Sequence, residues 1–173
     1  MTARGSAIVL IGFMGTGKSS VGKALARQTG LPCLDTDEMV STRFGLSVTE
    51  IFTRLGEEEF RNAETEAVRQ LAGTGSAIIV TGGGIVLRPD NVRMLRSLGR
   101  LVSLEADVET LFSRIFRRAT RPLLRTANPH ATVVELLRLR DPLYRAAADL
   151  RVDTSTLTHD EVANAILSGI EKL

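Results

Sequence analysis

Short apolar runs and helical stripes alternate along the whole chain. Ile8-Val9-Leu10-Ile11, β-branched at three of its four positions, reads as a strand buried on both faces. Val21, Ala24, Leu25 and Gln28 then share one helical face, with Gly30 placed to end the helix. Leu31-Pro32-Cys33-Leu34 follows as a short second strand, its proline at the start, where a missing N–H costs least. Cys33 reads there as a small buried hydrophobe.

Ser47-Val48-Thr49-Glu50 is a capping box, with Leu46 and Ile51 as its hydrophobic staple. It opens a helix carrying Ile51, Phe52 and Leu55 that stops near Gly56. The next helix, over 57–71, sets Phe60, Ala63, Ala67, Val68 and Leu71 on one face. Ala77-Ile78-Ile79-Val80 is a third strand. Asp90 is placed to cap a helix bearing Val92, Met94, Leu95 and Leu98, with Gly99 beyond its end. Leu101-Val102-Ser103-Leu104 is the fourth strand, and Asp107 caps a helix with Val108, Leu111, Phe112 and Ile115. Residues 132–147 read as a helix that Pro142 should kink. Leu150-Arg151-Val152-Asp153 is the fifth strand. A second capping box, Thr158-His159-Asp160-Glu161, opens a last helix with Val162, Ala165, Ile166 and Ile170 as its apolar face. Five strands alternating with helices, and no obvious hairpin, predict an α/β sandwich with a parallel sheet covered on both faces. Periodicity does not give the strand order.

Composition narrows this picture little. The 173 residues suit one domain, 1–173, and 43% hydrophobic with 24% charged residues is ordinary for a globular chain. A formal charge of +2 is too small to suggest a nucleic-acid partner, so any positive feature must be local. The single cysteine excludes an intrachain disulfide, and no Cys/His cluster suggests zinc. The first six residues are too short for a signal peptide, and no apolar run approaches a membrane span, so a soluble cytoplasmic protein is expected.

The chemistry begins where the first strand ends. Gly12-x-x-x-x-Gly17-Lys18-Ser19 is the full P-loop pattern, between a strand and an amphipathic helix. Its glycines let successive N–H groups turn inward around a phosphate. Lys18 adds a mobile charge, Ser19 offers a hydroxyl to Mg²⁺, and the helix points its positive end at the anion. A chance glycine-rich turn is the alternative. Asp35-Thr36-Asp37 lies at the carboxyl end of strand two, where α/β sheets bind ligands; the same pair also suits the N-cap of a helix starting near Glu38. Arg61 and Glu64 are three apart on a helix, close enough to interact, although an isolated arginine there usually belongs to solvent. Gly82-Gly83-Gly84 after strand three is either a turn or bare backbone against which a ligand packs. Arg114, Arg117, Arg118, Arg121 and Arg125 lead into a long loop broken by Pro122, Asn128 and Pro129, the composition of a lid that grips phosphate. No aromatic residue interleaves with these arginines to stack bases. His130 and His159 are isolated and read as surface residues.

Taken together, these motifs resemble the shikimate kinase family over nearly the whole chain. Gly12 to Ser19 resembles its P-loop and Asp35-Thr36-Asp37 its carboxylate pair. Phe52-x-x-x-Gly56-Glu57-x-x-Phe60-Arg61-x-x-Glu64 is similar to its substrate-binding signature. Gly82-Gly83-Gly84, Arg121-Pro122-Leu123-Leu124 and Arg140-x-Pro142-Leu143-Tyr144 resemble three more. The resemblance implies a three-layer sandwich with strand order 2-3-1-4-5, a substrate-binding region over about 36–64 and a lid over about 117–131. It implies transfer of the γ-phosphoryl of ATP to the 3-hydroxyl of shikimate, with Mg²⁺, in aromatic amino-acid and chorismate biosynthesis. Nothing in the sequence demands an oligomer, so a monomer without nucleic-acid or membrane partners is expected. Asp37, Arg61, Gly83 and Arg140 would hold shikimate. Gly15, Thr16, Gly17, Lys18, Ser19, Ser20, Arg114 and Arg121 would hold ATP, Ser19 and Asp35 the metal, and Lys18, Asp37 and Arg121 would act in catalysis. Thr154 to His159 lacks the proline expected on the adenine side, so no adenine contact is carried onto that segment. Two rivals remain: a gluconate kinase, which has no use for Arg61, the glycine triplet and Arg140 together, and a catalytically silent ligand sensor, which should have lost Lys18, Asp37 or Arg121.

Overall fold

The computed structural model describes residues 5–117 and 126–173. Five strands, β1 (Ala7–Gly12), β2 (Cys33–Asp35), β3 (Ile78–Val80), β4 (Gly99–Glu105) and β5 (Leu150–Asp153), form one sheet in the order β2-β3-β1-β4-β5. Every neighbouring pair is parallel, with Val9 opposite both Ile79 and Leu101. The expected sandwich and strand order are therefore both observed.

The unbroken apolar run of β1 has a simple cause: both of its faces are covered. Ala7, Val9 and Ile11 point into one core with residues of α5 (Pro89–Leu98), α6 (Val108–Phe116) and α7 (Pro129–Ala147). Ile8 and Leu10 point into the other, against Val21, Ala24 and Leu25 of α1 (Lys18–Thr29) and Val162, Ala163 and Ile166 of α8 (His159–Ile170). Each such buried side chain contributes roughly 1.5–3 kcal/mol, which makes β1 a rigid base for the loop that leaves it. A third, separate cluster joins Val40, Ile51, Phe60, Ala63 and Ala67 from α2 (Thr36–Phe44), α3 (Val48–Arg54) and α4 (Glu57–Gln70).

Several local expectations shift. α2 begins at Thr36, two residues early, because Asp35 caps it: Oδ1 accepts from the N–H groups of Asp37 (2.9 Å) and Glu38 (3.4 Å). α5 begins at Pro89, so Arg88 takes the N-cap position. Proline is preorganised for the first helical turn, which leaves Asp90 inside that turn, paired with Arg93. Gly99 is extended and opens β4. Ala163 is buried on α8 while Ala165 is exposed. α7 starts at Pro129, capped by the Asn128 side chain, and holds Pro142 within it. Cys33 is exposed, not buried, because β2 is an edge strand. Among the described residues, no helix is long and apolar enough to cross a membrane.

Candidate active site

The loops that leave the carboxyl ends of β1, β2 and β3 meet in one cleft of about 280 Å³. Its lining includes Gly15, Gly17, Lys18, Ser19, Ser20, Asp35, Asp37, Gly82, Gly83, Arg114, Arg117 and His159. The turn after β1 depends on left-handed backbone at Gly15 (φ 84°) and Gly17 (φ 91°), which a side chain would strain. Buried Lys18 lies back over that turn, its Nζ donating to the carbonyls of Gly12 (2.7 Å) and Phe13 (2.9 Å). Buried Thr16 turns its hydroxyl to the Phe13 carbonyl (2.8 Å).

Asp35 serves two roles at once. Oδ1 caps α2, while Oδ2 faces the Ser19 hydroxyl at 3.5 Å. The N-cap reading and the ligand reading of this residue are compatible because each uses a different oxygen. Between the two aspartates, fully buried Thr36 accepts from the N–H of Gly82 (3.3 Å) and ties the end of β2 to the glycine triplet. No motif or spacing pointed to a role for this threonine.

The triplet is bare because charged groups lie against it. A Cβ on Gly82 would fall 2.5 Å from Asp37 Oδ1 and 2.8 Å from Glu64 Oε1; one on Gly84 would fall 2.2 Å from Arg61 Nη1. Arg61 is thus a buried residue at 7% exposure, not a solvated one. Its Nη1 donates to Glu64 Oε2 (2.9 Å) and its Nη2 to Glu57 Oε1 (3.2 Å). The rings of Phe60 and Phe52 lie 5.2 Å and 5.8 Å from the guanidinium carbon. Burial works against this charge, but Glu64 and Glu57 outweigh it and hold the guanidinium above its ordinary value.

Glu64 is fully buried. Burial pushes its carboxyl up to about 7, against the pull of Arg61 and with some help from Asp37. Arg61 Nε and Glu64 Oε1 are both buried without a hydrogen-bond partner among the described residues, which leaves polar capacity for a bound group. Arg140, 5% exposed on α7, completes the cluster: its charge acts on Glu64 and on Tyr144 one turn along. Tyr144 donates its hydroxyl to the Gly83 carbonyl, and burial holds that hydroxyl above its usual range. Asp37, Arg61, Gly83 and Arg140 are therefore brought together about the glycine triplet and Glu64, with Asp37 and Gly83 lining the cleft and the two arginines buried behind them.

Arg114 lines the same cleft beside the P-loop, its Nη1 3.4 Å from the Gly15 carbonyl. Its Nη2 donates to the Thr154 carbonyl (2.8 Å) and its Nη1 to the Thr154 hydroxyl (3.0 Å). Buried Thr154 also lies within bonding distance of the Thr16 (3.1 Å) and Glu105 (3.0 Å) carbonyls, so one threonine after β5 couples Arg114 to the P-loop. Sequence reasoning missed it, since 40 residues separate it from Arg114. His159 is exposed, as expected, and it also lines the cleft beside Gly17, where a Cβ would lie 3.7 Å from the imidazole. His130 faces Glu109 at 3.1 Å, outside the cleft. Arg121 and the Arg121-Pro122-Leu123-Leu124 signature lie outside the described residues.

Sequence and fold both match known proteins. A family model described as shikimate kinase matches residues 14–171. A shikimate kinase from Thermodesulfovibrio yellowstonii is 42% identical over 166 residues, covering 96% of this chain and 95% of that protein. One from Moorella thermoacetica is 46% identical over 164 residues, covering 95% and 94%. Among solved structures, the shikimate kinase from Acinetobacter baumannii in complex with shikimate matches with a TM-score of 0.92 and 34% identity, over 99% of this chain and 95% of that one. P-loop, glycine triplet and buried arginines thus sit within a match that runs the length of the fold, and the chain belongs to the shikimate kinase family.

Proposed function

We propose that the chain performs its family's ATP-dependent phosphorylation of shikimate on the 3-hydroxyl. The observation that carries this reading is the P-loop facing one buried set of Asp37, Glu64 and Arg61 across the glycine triplet. Arg61 and Arg140 clamp the shikimate carboxylate; two buried guanidinium groups supply both charge and orientation. Asp37 bonds the ring hydroxyls and is placed to accept the proton of the attacking one, although phosphoryl transfer asks the protein mainly for positioning and charge stabilisation. Gly15 to Ser20 cradle the phosphates, and Arg114, held by Thr154, lies against the base. Lys18 exchanges its two loop carbonyls for phosphate oxygens when the nucleotide arrives. Arg121 is assigned to the transferred phosphoryl by motif alone.

The residues present fit Mg²⁺. The Ser19 hydroxyl and Asp35 Oδ2, 3.5 Å apart, are hard oxygen donors of the kind that hold this ion together with phosphates and water. When bound it would neutralise charge on the phosphates.

The test is ADP release from Mg-ATP by the purified protein with shikimate, quinate, gluconate or no acceptor. A large rise with shikimate alone is expected. A rise with another acceptor instead would keep the nucleotide site and overturn the assignment of Arg61 and Arg140.

A further inference from the structure

We propose that Arg88 is a positioning residue that fixes Arg61, and through it the carboxylate clamp. The proposal rests on the reading of Arg61 given above. Arg88 follows the 3-10 turn Ile85–Leu87, which itself follows the glycine triplet. Its Nη1 donates to the Arg61 carbonyl (3.0 Å) and the Thr65 hydroxyl (3.2 Å). Its Nη2 donates to Glu58 Oε1 (2.8 Å) and Asn62 Oδ1 (3.0 Å). All four acceptors belong to α4, and the guanidinium spreads over two turns of it.

The five residues from Gly84 to Arg88 therefore hold Arg61 at both ends. Gly84 lies against its guanidinium, and Arg88 takes its backbone carbonyl. The strap is itself braced, because fully buried Asn91 donates its Nδ2 to the Ile85 carbonyl (3.3 Å) and its N–H to that of Arg88 (3.0 Å). An ordinary surface ion pair does not describe this arrangement. The Glu58 side chain is 83% exposed and its ion pair is worth little, whereas the contacts to the Arg61 carbonyl and Thr65 are partly buried and define where α4 stands. A displacement of about 1 Å in a substrate clamp can cost on the order of a hundredfold in turnover of dilute substrate; where the clamp holds ground and transition state alike the loss falls on KM and not on kcat, so a residue that touches neither substrate can still set affinity for one of them.

The experiment is steady-state kinetics on the wild type, Arg88→Lys and Arg88→Gln, with thermal unfolding of each. For Arg88→Gln the shikimate KM should rise about tenfold, with the ATP KM and kcat within about twofold of wild type. Arg88→Lys, which keeps a donor to the Arg61 carbonyl without the fork, should recover part of that loss. Equal rises in both KM values, or no rise in a folded variant, would overturn the proposal. Should Arg88→Gln not fold, Thr65→Val, which removes one of the two partly buried acceptors of Arg88, should still raise the shikimate KM selectively, by a smaller factor; an unchanged value there would count against the proposal. A wild type that turns over ATP without responding to shikimate would instead defeat the underlying reading of Arg61.

Discussion

Glu64 is the residue at which charge and burial are most finely opposed. Its carboxyl titrates near 7 because burial favours the neutral form while Arg61 and Arg140 favour the ion. On the role proposed for Arg61, a substrate carboxylate arriving there would add a negative charge and weaken the pull of that arginine, raising the Glu64 pKa further. Binding then takes up a proton, and affinity must fall as pH rises above the free value. The shikimate KM is expected to increase severalfold between pH 6 and pH 8.5, and Glu64→Gln should flatten that dependence; a flat wild-type profile would refute the coupling. Gly84 tests the same site from the other side. Its backbone (φ −94°) would accept alanine, but the added methyl meets Arg61 Nη1 at 2.2 Å. Gly84→Ala should lower stability, because the guanidinium it displaces is buried and ion-paired, and in the folded protein it should raise the shikimate KM while sparing that of ATP. The i,i+3 spacing of Arg61 and Glu64 was legible in sequence; their burial was not, since it depends on a glycine strap some 20 positions away.

At the scale of elements, α2, α3 and α4 share a small core of their own, distinct from the two that clad the sheet. Ile51 is fully buried there, and Ile51→Ala should cost about 2–5 kcal/mol locally. Because these helices carry Asp37 and Arg61, denaturant melts and kinetics on this variant should show lower stability together with a shikimate KM raised more than the ATP KM. Equal effects on both would mean that the cluster is not separate in energy. The helix starts were largely readable: the capping boxes of Ser47 with Glu50 and of Thr158 with Glu161 are both made reciprocally. Arg88 and Thr154 were not, because each acts through backbone carbonyls on elements distant in the chain, and no residue type or spacing advertises such a bond.

Over the whole molecule, the P-loop, the five strands and the two-sided sheet follow from patterning alone, while the order of the strands required resemblance to a family. Contacts that cross the cleft, such as His159 beside Gly17, became visible only when the sheet brought the ends of β1 and β5 to one rim. The same strand order decides what the sheet shows to its neighbours in solution. Its margins are β2, three residues long and entered through Pro32, and β5, four residues long with Arg151 paired to Glu105 on β4. Short, proline-fronted or charged margins give another chain little to template on. The long apolar strand that would be most hazardous, β1, lies at the centre of the sheet, so the segment most prone to self-association is the one best shielded from it while the protein remains folded.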